Sequence, residues 1–157
     1  MNSLNLHLSH LNYNYSQIQK QLNSETQIVA VVKAGAYGSA SEAVAKRLEE
    51  LGVDYLAVAY AEEGEVLRSY GIKIPIMVFY PQLDSLKLII EKALEPCLYS
   101  RSLLTAFGGL LKDANKTQFP IHIKYNTGLH RVGFSPKDTN WVISQTVSDQ
   151  FNLKSVY

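Results

Sequence analysis

Six short apolar runs, spaced by longer amphipathic stretches, constrain this chain more than any other feature. The runs fall at residues 27–32, 55–59, 76–79, 95–99, 120–124 and 153–157. Most are continuously apolar rather than alternating, the pattern of parallel strands buried on both faces. Their starts recur every 20 to 33 residues or so, which is the step of a βα unit. Six such units in one direction predict an α/β fold, an incomplete (β/α)8 barrel with about six of its eight units. A complete barrel takes roughly 200 to 250 residues, and this chain has 157. A flavodoxin-like open sheet is the alternative, since it needs only five or six strands.

The segments between the runs carry helix signals. One helix is expected over residues 8–22, ahead of the first strand. Ser39 with Glu42 three residues later reads as a capping box, followed by the stripe Val44, Leu48 and Leu51 and a stop at Gly52. A second connecting helix opens at Ala61, with Glu62, Glu63 and Glu65 near its positive end, and stops at Gly71. A third starts near Asp84 and carries Leu86, Ile89 and Ile90. The fourth follows Ser100 and turns Leu103, Leu104, Phe107, Leu110 and Leu111 inward. The fifth has Ser135 as cap and Pro136 in the first helical position, with Asp138 behind it.

Charge and composition remove several classes of function. Fifteen basic against fourteen acidic residues leave a net charge of +1, too little to hold nucleic acid or an anionic membrane surface. No apolar run approaches the roughly 18 residues of a membrane span, and the start MNSLNLHLSH lacks the pattern of a secretory signal. Cys97 stands alone, so no internal disulfide or cysteine-built metal site is expected, and a reducing, cytoplasmic setting is the natural expectation. His7, His10, His122 and His130 are scattered without metal-ligand spacing, so no metal is expected.

The first strand then ends on a cation. In IVAVVKAGAYGS, residues 28–39, Lys33 closes an apolar run and small residues surround Tyr37. Alone, such a lysine reads as a solvated strand edge. In a βα barrel, however, the carboxyl ends of the strands build the active site, and an amine placed there can form a Schiff base with an aldehyde. Tyr37 follows in a turn loosened by Gly35 and Gly38.

AVVKAGAYG resembles the cofactor-lysine signature of alanine racemases, Val-Val-Lys-Ala-x-Ala-Tyr-Gly. The resemblance continues through LGVDYLAVAYAEEGEVLRSYGIKIPIMVF, residues 51–79. It returns in IHIKYNTGLHRVGF, residues 121–134, which is similar to the family block Lys-x-Asp-Thr-Gly-Met-x-Arg-x-Gly. It implies a pyridoxal 5'-phosphate enzyme, an isomerase that interconverts L- and D-alanine and supplies D-alanine for peptidoglycan, acting as a cytoplasmic homodimer. By the same resemblance Lys33 bonds the cofactor aldehyde and exchanges the α-proton on one face of the substrate. Tyr37 would contact the cofactor phosphate, and Arg131 the phenolic oxygen and the substrate carboxylate. Lys124 matches a lysine that is carbamylated in some members and orients that arginine.

Three departures are visible. Asn126 stands where the family has aspartate, Leu129 replaces methionine, and Ser39-Ala40 replaces His-Gly. The Gly-Ser version is similar to racemase domains fused to a muramoyl-tripeptide ligase. In the family the second base is a tyrosine from the partner's C-terminal domain. Residues 1–157 are therefore expected to be the N-terminal portion of the barrel, without the C-terminal β-domain, binding the cofactor weakly and racemising negligibly alone. A non-catalytic pyridoxal-phosphate-binding barrel and a degenerate truncated fragment are the competing expectations.

Overall fold

The computed structural model describes residues 4–157. Six strands, β1 (Val29–Val31), β2 (Tyr55–Val58), β3 (Ile76–Val78), β4 (Glu95–Leu98), β5 (Phe119–Ile123) and β6 (Phe151–Val156), form one sheet in the order β1-β2-β3-β4-β5-β6. Every pairing is parallel. Strands that neighbour one another in strict chain order make a curling wall with no reversal point. That is the topology of a barrel and excludes the flavodoxin-like alternative, whose order reverses around its first strand.

The helices are α1 (Leu8–Gln19), α3 (Ser41–Glu50), α4 (Ala61–Ser69), α5 (Leu86–Glu91), α6 (Arg101–Asp113) and α7 (Thr139–Thr146). A one-turn element, α2 (Lys33–Gly38), follows β1. Alternate strand residues divide the core, as the two-residue strand period requires. Leu56, Val58, Ile76, Val78, Leu98, Ile121 and Ile123 face the helices and join Leu67, Ile89, Leu104, Phe107 and Leu111 in the main core. Ala57, Met77 and Cys97, with Phe79 against them, form a small second cluster.

Several expected boundaries shift for local reasons. Ser39 does not cap a helix. Its amide closes the preceding turn by donating to the carbonyls of Gly35 and Ala36, and Ala40 takes the cap position of α3 with φ 65°. Leu110 packs against the core but stays half-buried, while the fully buried stripe of α6 runs through Leu103, Leu104, Phe107 and Leu111. β6 starts two residues early, where Phe151 pairs with Phe119 and stacks near Phe107, ring centroids 6.5 Å apart. Ser100 does cap α6, its Oγ accepting from the Leu103 amide. Ser135 and Asp138 form a reciprocal capping box across a short 3-10 turn before α7. Among the described residues no helix is long and apolar enough to cross a membrane.

Candidate active site

The residues just past the carboxyl ends of β1, β3, β5 and β6 converge on one cavity. About 180 Å³ in volume, it is lined by Lys33, Phe79, Tyr80, Lys124, Arg131 and Tyr157. The structure thus brings together three of the residues singled out in the sequence, Lys33, Lys124 and Arg131. No carboxylate lines the cavity, and none of the three cations forms a salt bridge among the described residues. Aromatic faces partly replace that missing negative charge. The Lys124 Nζ lies 4.6 Å from the Tyr157 ring centroid and the Arg131 guanidinium 5.7 Å from that of Tyr80. Such contacts draw on the negative face of the ring, but three positive charges around a small space still leave it strongly attractive to anions.

Lys33 is aimed by unusual backbone. Ala34, Gly35, Ala36 and Tyr37 have φ of 51°, 63°, 54° and 57°, with ψ between 36° and 48°, a complete turn of left-handed helix. Glycine takes this conformation freely, but for Ala34, Ala36 and Tyr37 it costs roughly 1–2 kcal/mol each. The turn keeps its own hydrogen bonds, with the Ala36 amide donating to the Val32 carbonyl and Ser39 to Gly35. It also buries the Ala36 methyl. Tyr37, at its far end, is 66% exposed and does not line the cavity.

Lys124 and Arg131 sit at the two ends of a backbone-clasped loop. Tyr125 bridges Phe134, the Asn126 amide donates to the Phe134 carbonyl, and the Phe134 amide donates to Lys124. This clasp brings the backbone so close that a Cβ on Gly133, at φ 136°, would lie 2.4 Å from the Asn126 nitrogen. Asn126 shapes the loop from inside. Its Oδ1 accepts from the amides of Gly128 and His130, at 3.3 and 3.1 Å. Its amide nitrogen lies 3.1 Å from His130 Nδ1. Asn126 does not line the cavity; it orders the loop that carries Arg131.

Under the cations lies a neutral layer. Burial, more than any neighbour, pushes the Cys97 thiol up to about 12. Burial likewise raises the Tyr157 phenol well above its usual range, with Cys97 adding to it through charge and a hydrogen bond. Both groups stay protonated near neutrality, so neither offsets the cations above. One strand step deeper, His122 is 2% exposed and bonds Ser155 Oγ through Nδ1 at 2.7 Å and Glu95 Oε2 through Nε2 at 3.0 Å. Tyr55 closes this layer: its ring meets His122 edge-on, and its hydroxyl is raised by burial first and by Glu95 next. The acid here is consumed by its own partners.

Sequence reasoning missed Phe79, Tyr80 and Tyr157 as lining residues. The signal was available, because in a barrel the first residues past each strand's carboxyl end face the site. No group of three or more histidine, cysteine or acidic residues could hold a metal among the described residues.

Residues 6–157 match the family described as alanine racemase, N-terminal domain. The alanine racemase of Treponema denticola is 35% identical over 134 residues, 85% of this chain and 35% of that protein. The alanine racemase of Clostridium difficile, solved in complex with cycloserine, superimposes with a TM-score of 0.89 at 30% identity, covering 95% of this chain and 42% of that one. The alanine racemase of Bartonella henselae, solved with covalently bound pyridoxal phosphate, shares the fold at a TM-score of 0.82 and 24% identity, covering 95% of this chain and 44% of that one. This chain therefore spans about 35–44% of the length of these relatives. With the matching fold and near-complete coverage, the chain belongs to the alanine racemase family, as its N-terminal domain.

Proposed function

We propose that this chain is the cofactor-bearing barrel portion of a pyridoxal-phosphate-dependent alanine racemase. The observation that carries the reading is the convergence of Lys33, Lys124 and Arg131 on one cavity without a carboxylate. A cofactor with a phosphate and a phenolic oxygen, next to a substrate carboxylate, brings several negative charges and one aldehyde. Three cations, among them the Lys33 amine at the start of a left-handed turn, fit that set of groups. The bound pyridoxal phosphate of the Bartonella relative and the cycloserine complex of the Clostridium relative support the same assignment.

When bound, pyridoxal phosphate supplies an electron sink that makes removal of the α-proton of an amino acid feasible. The residues of this chain do the rest. Lys33 would hold the cofactor through its Nζ, and that amine, when free, would take or return the α-proton on one face of the substrate. Arg131, resting on Tyr80, orients the substrate carboxylate. Lys124, over Tyr157, stands beside it and holds negative charge in the same cavity. Tyr37, exposed at the far end of the turn, is assigned as the residue that would contact the cofactor phosphate. Asn126 supports the Arg131 loop. The other face of the substrate needs a second base, which we assign to a partner subunit of a cytoplasmic homodimer, the product being D-alanine for peptidoglycan.

The test is to titrate the chain with pyridoxal phosphate and follow the visible absorbance of the lysine-bound cofactor. Lys33→Ala is expected to abolish it, while Arg131→Ala keeps it with weaker binding. Absorbance that survives Lys33→Ala removes the reading.

A further inference from the structure

We propose that Glu63 is a positioning residue for Lys33: its carboxylate holds the left-handed turn in the shape that aims the amine into the cavity. This rests on the role of Lys33 given above.

Four consecutive residues in left-handed conformation, three with side chains, hold only where the surroundings over-determine them. The strand ladder ends at Val32, whose amide donates to the Ala57 carbonyl. Beyond it, Glu63 is the one side chain hydrogen-bonded to the backbone of residues 33–38 among the described residues. Its Oε1 accepts from the Ala34 amide at 2.5 Å, the peptide directly after Lys33. Its Oε2 accepts from Ala59 at 2.7 Å and Tyr60 at 3.1 Å, where β2 passes into α4. One carboxylate therefore ties the lysine's turn to the neighbouring strand end with three N–H donors. Bonds to an ionised acceptor are the strong ones. A capping acid of α4 alone would need only the Tyr60 bond; the Ala34 bond has no part in ending or starting that helix.

Glu63→Gln separates the two roles. A glutamine keeps a single acceptor oxygen, and turning it toward Ala59 and Tyr60 keeps two bonds while setting its NH2 against the Ala34 N–H. Hydrogen exchange of the Ala34 amide is expected to speed up about ten- to a hundredfold, with Val78 in the central sheet unchanged. The rate at which borohydride traps pyridoxal phosphate on Lys33, read by peptide mapping, is expected to fall by a similar factor. Glu62→Gln, which removes an exposed charge one residue away, should do neither. Adding Ala34→Gly to Glu63→Gln removes part of the left-handed cost and should restore part of the trapping rate. Unchanged Ala34 exchange, unchanged trapping, or no recovery with Ala34→Gly would overturn the proposal. Visible absorbance of lysine-bound cofactor that survives Lys33→Ala would instead remove the reading it rests on.

Discussion

The two loops that deliver cations to the cavity are built by opposite means. The loop from Lys124 to Phe134 is clasped by its own backbone, closed at the Tyr125–Phe134 bridge, and ordered from inside by Asn126. The turn from Lys33 to Gly38 is left-handed against the preference of its own residues and is tied to the rest of the sheet through Glu63. One loop carries its shape within itself, while the other borrows it from a neighbouring unit. The difference teaches where each fails. A change inside the first loop should damage that loop alone, whereas the second should respond to a residue 29 positions away.

Substitutions can break or sharpen that contrast. Gly133→Ala should have the largest effect, about 3 kcal/mol by thermal unfolding, because its Cβ would meet the Asn126 backbone and its φ is 136°. Exchange at Ala34 should stay unchanged in that variant; a change there would make the two loops one unit. Asn126→Ala should cost about 1 kcal/mol, having left two amides without their acceptor, and should speed proteolysis within residues 126–133. Ala34→Gly should act the other way. The exposed Ala34 loses a left-handed cost of roughly 1–2 kcal/mol, less the greater freedom glycine gives the unfolded chain, for a net gain of about 0.5–1 kcal/mol in a denaturant melt.

The smallest effect concerns the capped turn that leads from the first loop into α7. Arg101 bonds Asp138 at 2.9 and 2.7 Å just before α7. The guanidinium, then the Ser135 amide, hold this carboxyl below its usual range. A depressed carboxylate contributes stability that is present above its unfolded pKa, about 4, and lost as pH falls through the folded value. Asp138→Asn should therefore flatten the acid side of the stability–pH curve slightly, an exposed pair being worth little. A steepened curve would contradict the assignment.

The sheet was legible because its strands are continuous apolar runs, and its barrel order followed from the regular βα step. Of the site, Lys33, Lys124 and Arg131 could be picked out, since strand-end position and a family resemblance pointed to the same residues. The left-handed turn could not. Alanine and tyrosine carry no signal for that conformation, and Ser39 with Glu42 imitated a capping box that the turn's own closure forbids. Glu95, His122 and Ser155 stayed hidden for a related reason. Polar residues inside apolar runs look like edge positions until three strands bring them within 2.7 to 3.0 Å. Glu63 was visible only as an acid at a helix start, because its bond to Ala34 crosses between βα units.

The most direct test is to add pyridoxal phosphate to the chain, reduce with borohydride, and map the labelled lysine. The account expects the label on Lys33, ahead of Lys124 and of exposed lysines such as Lys46. Label spread evenly over the surface lysines, or concentrated on Lys124 with Lys33 untouched, would contradict it.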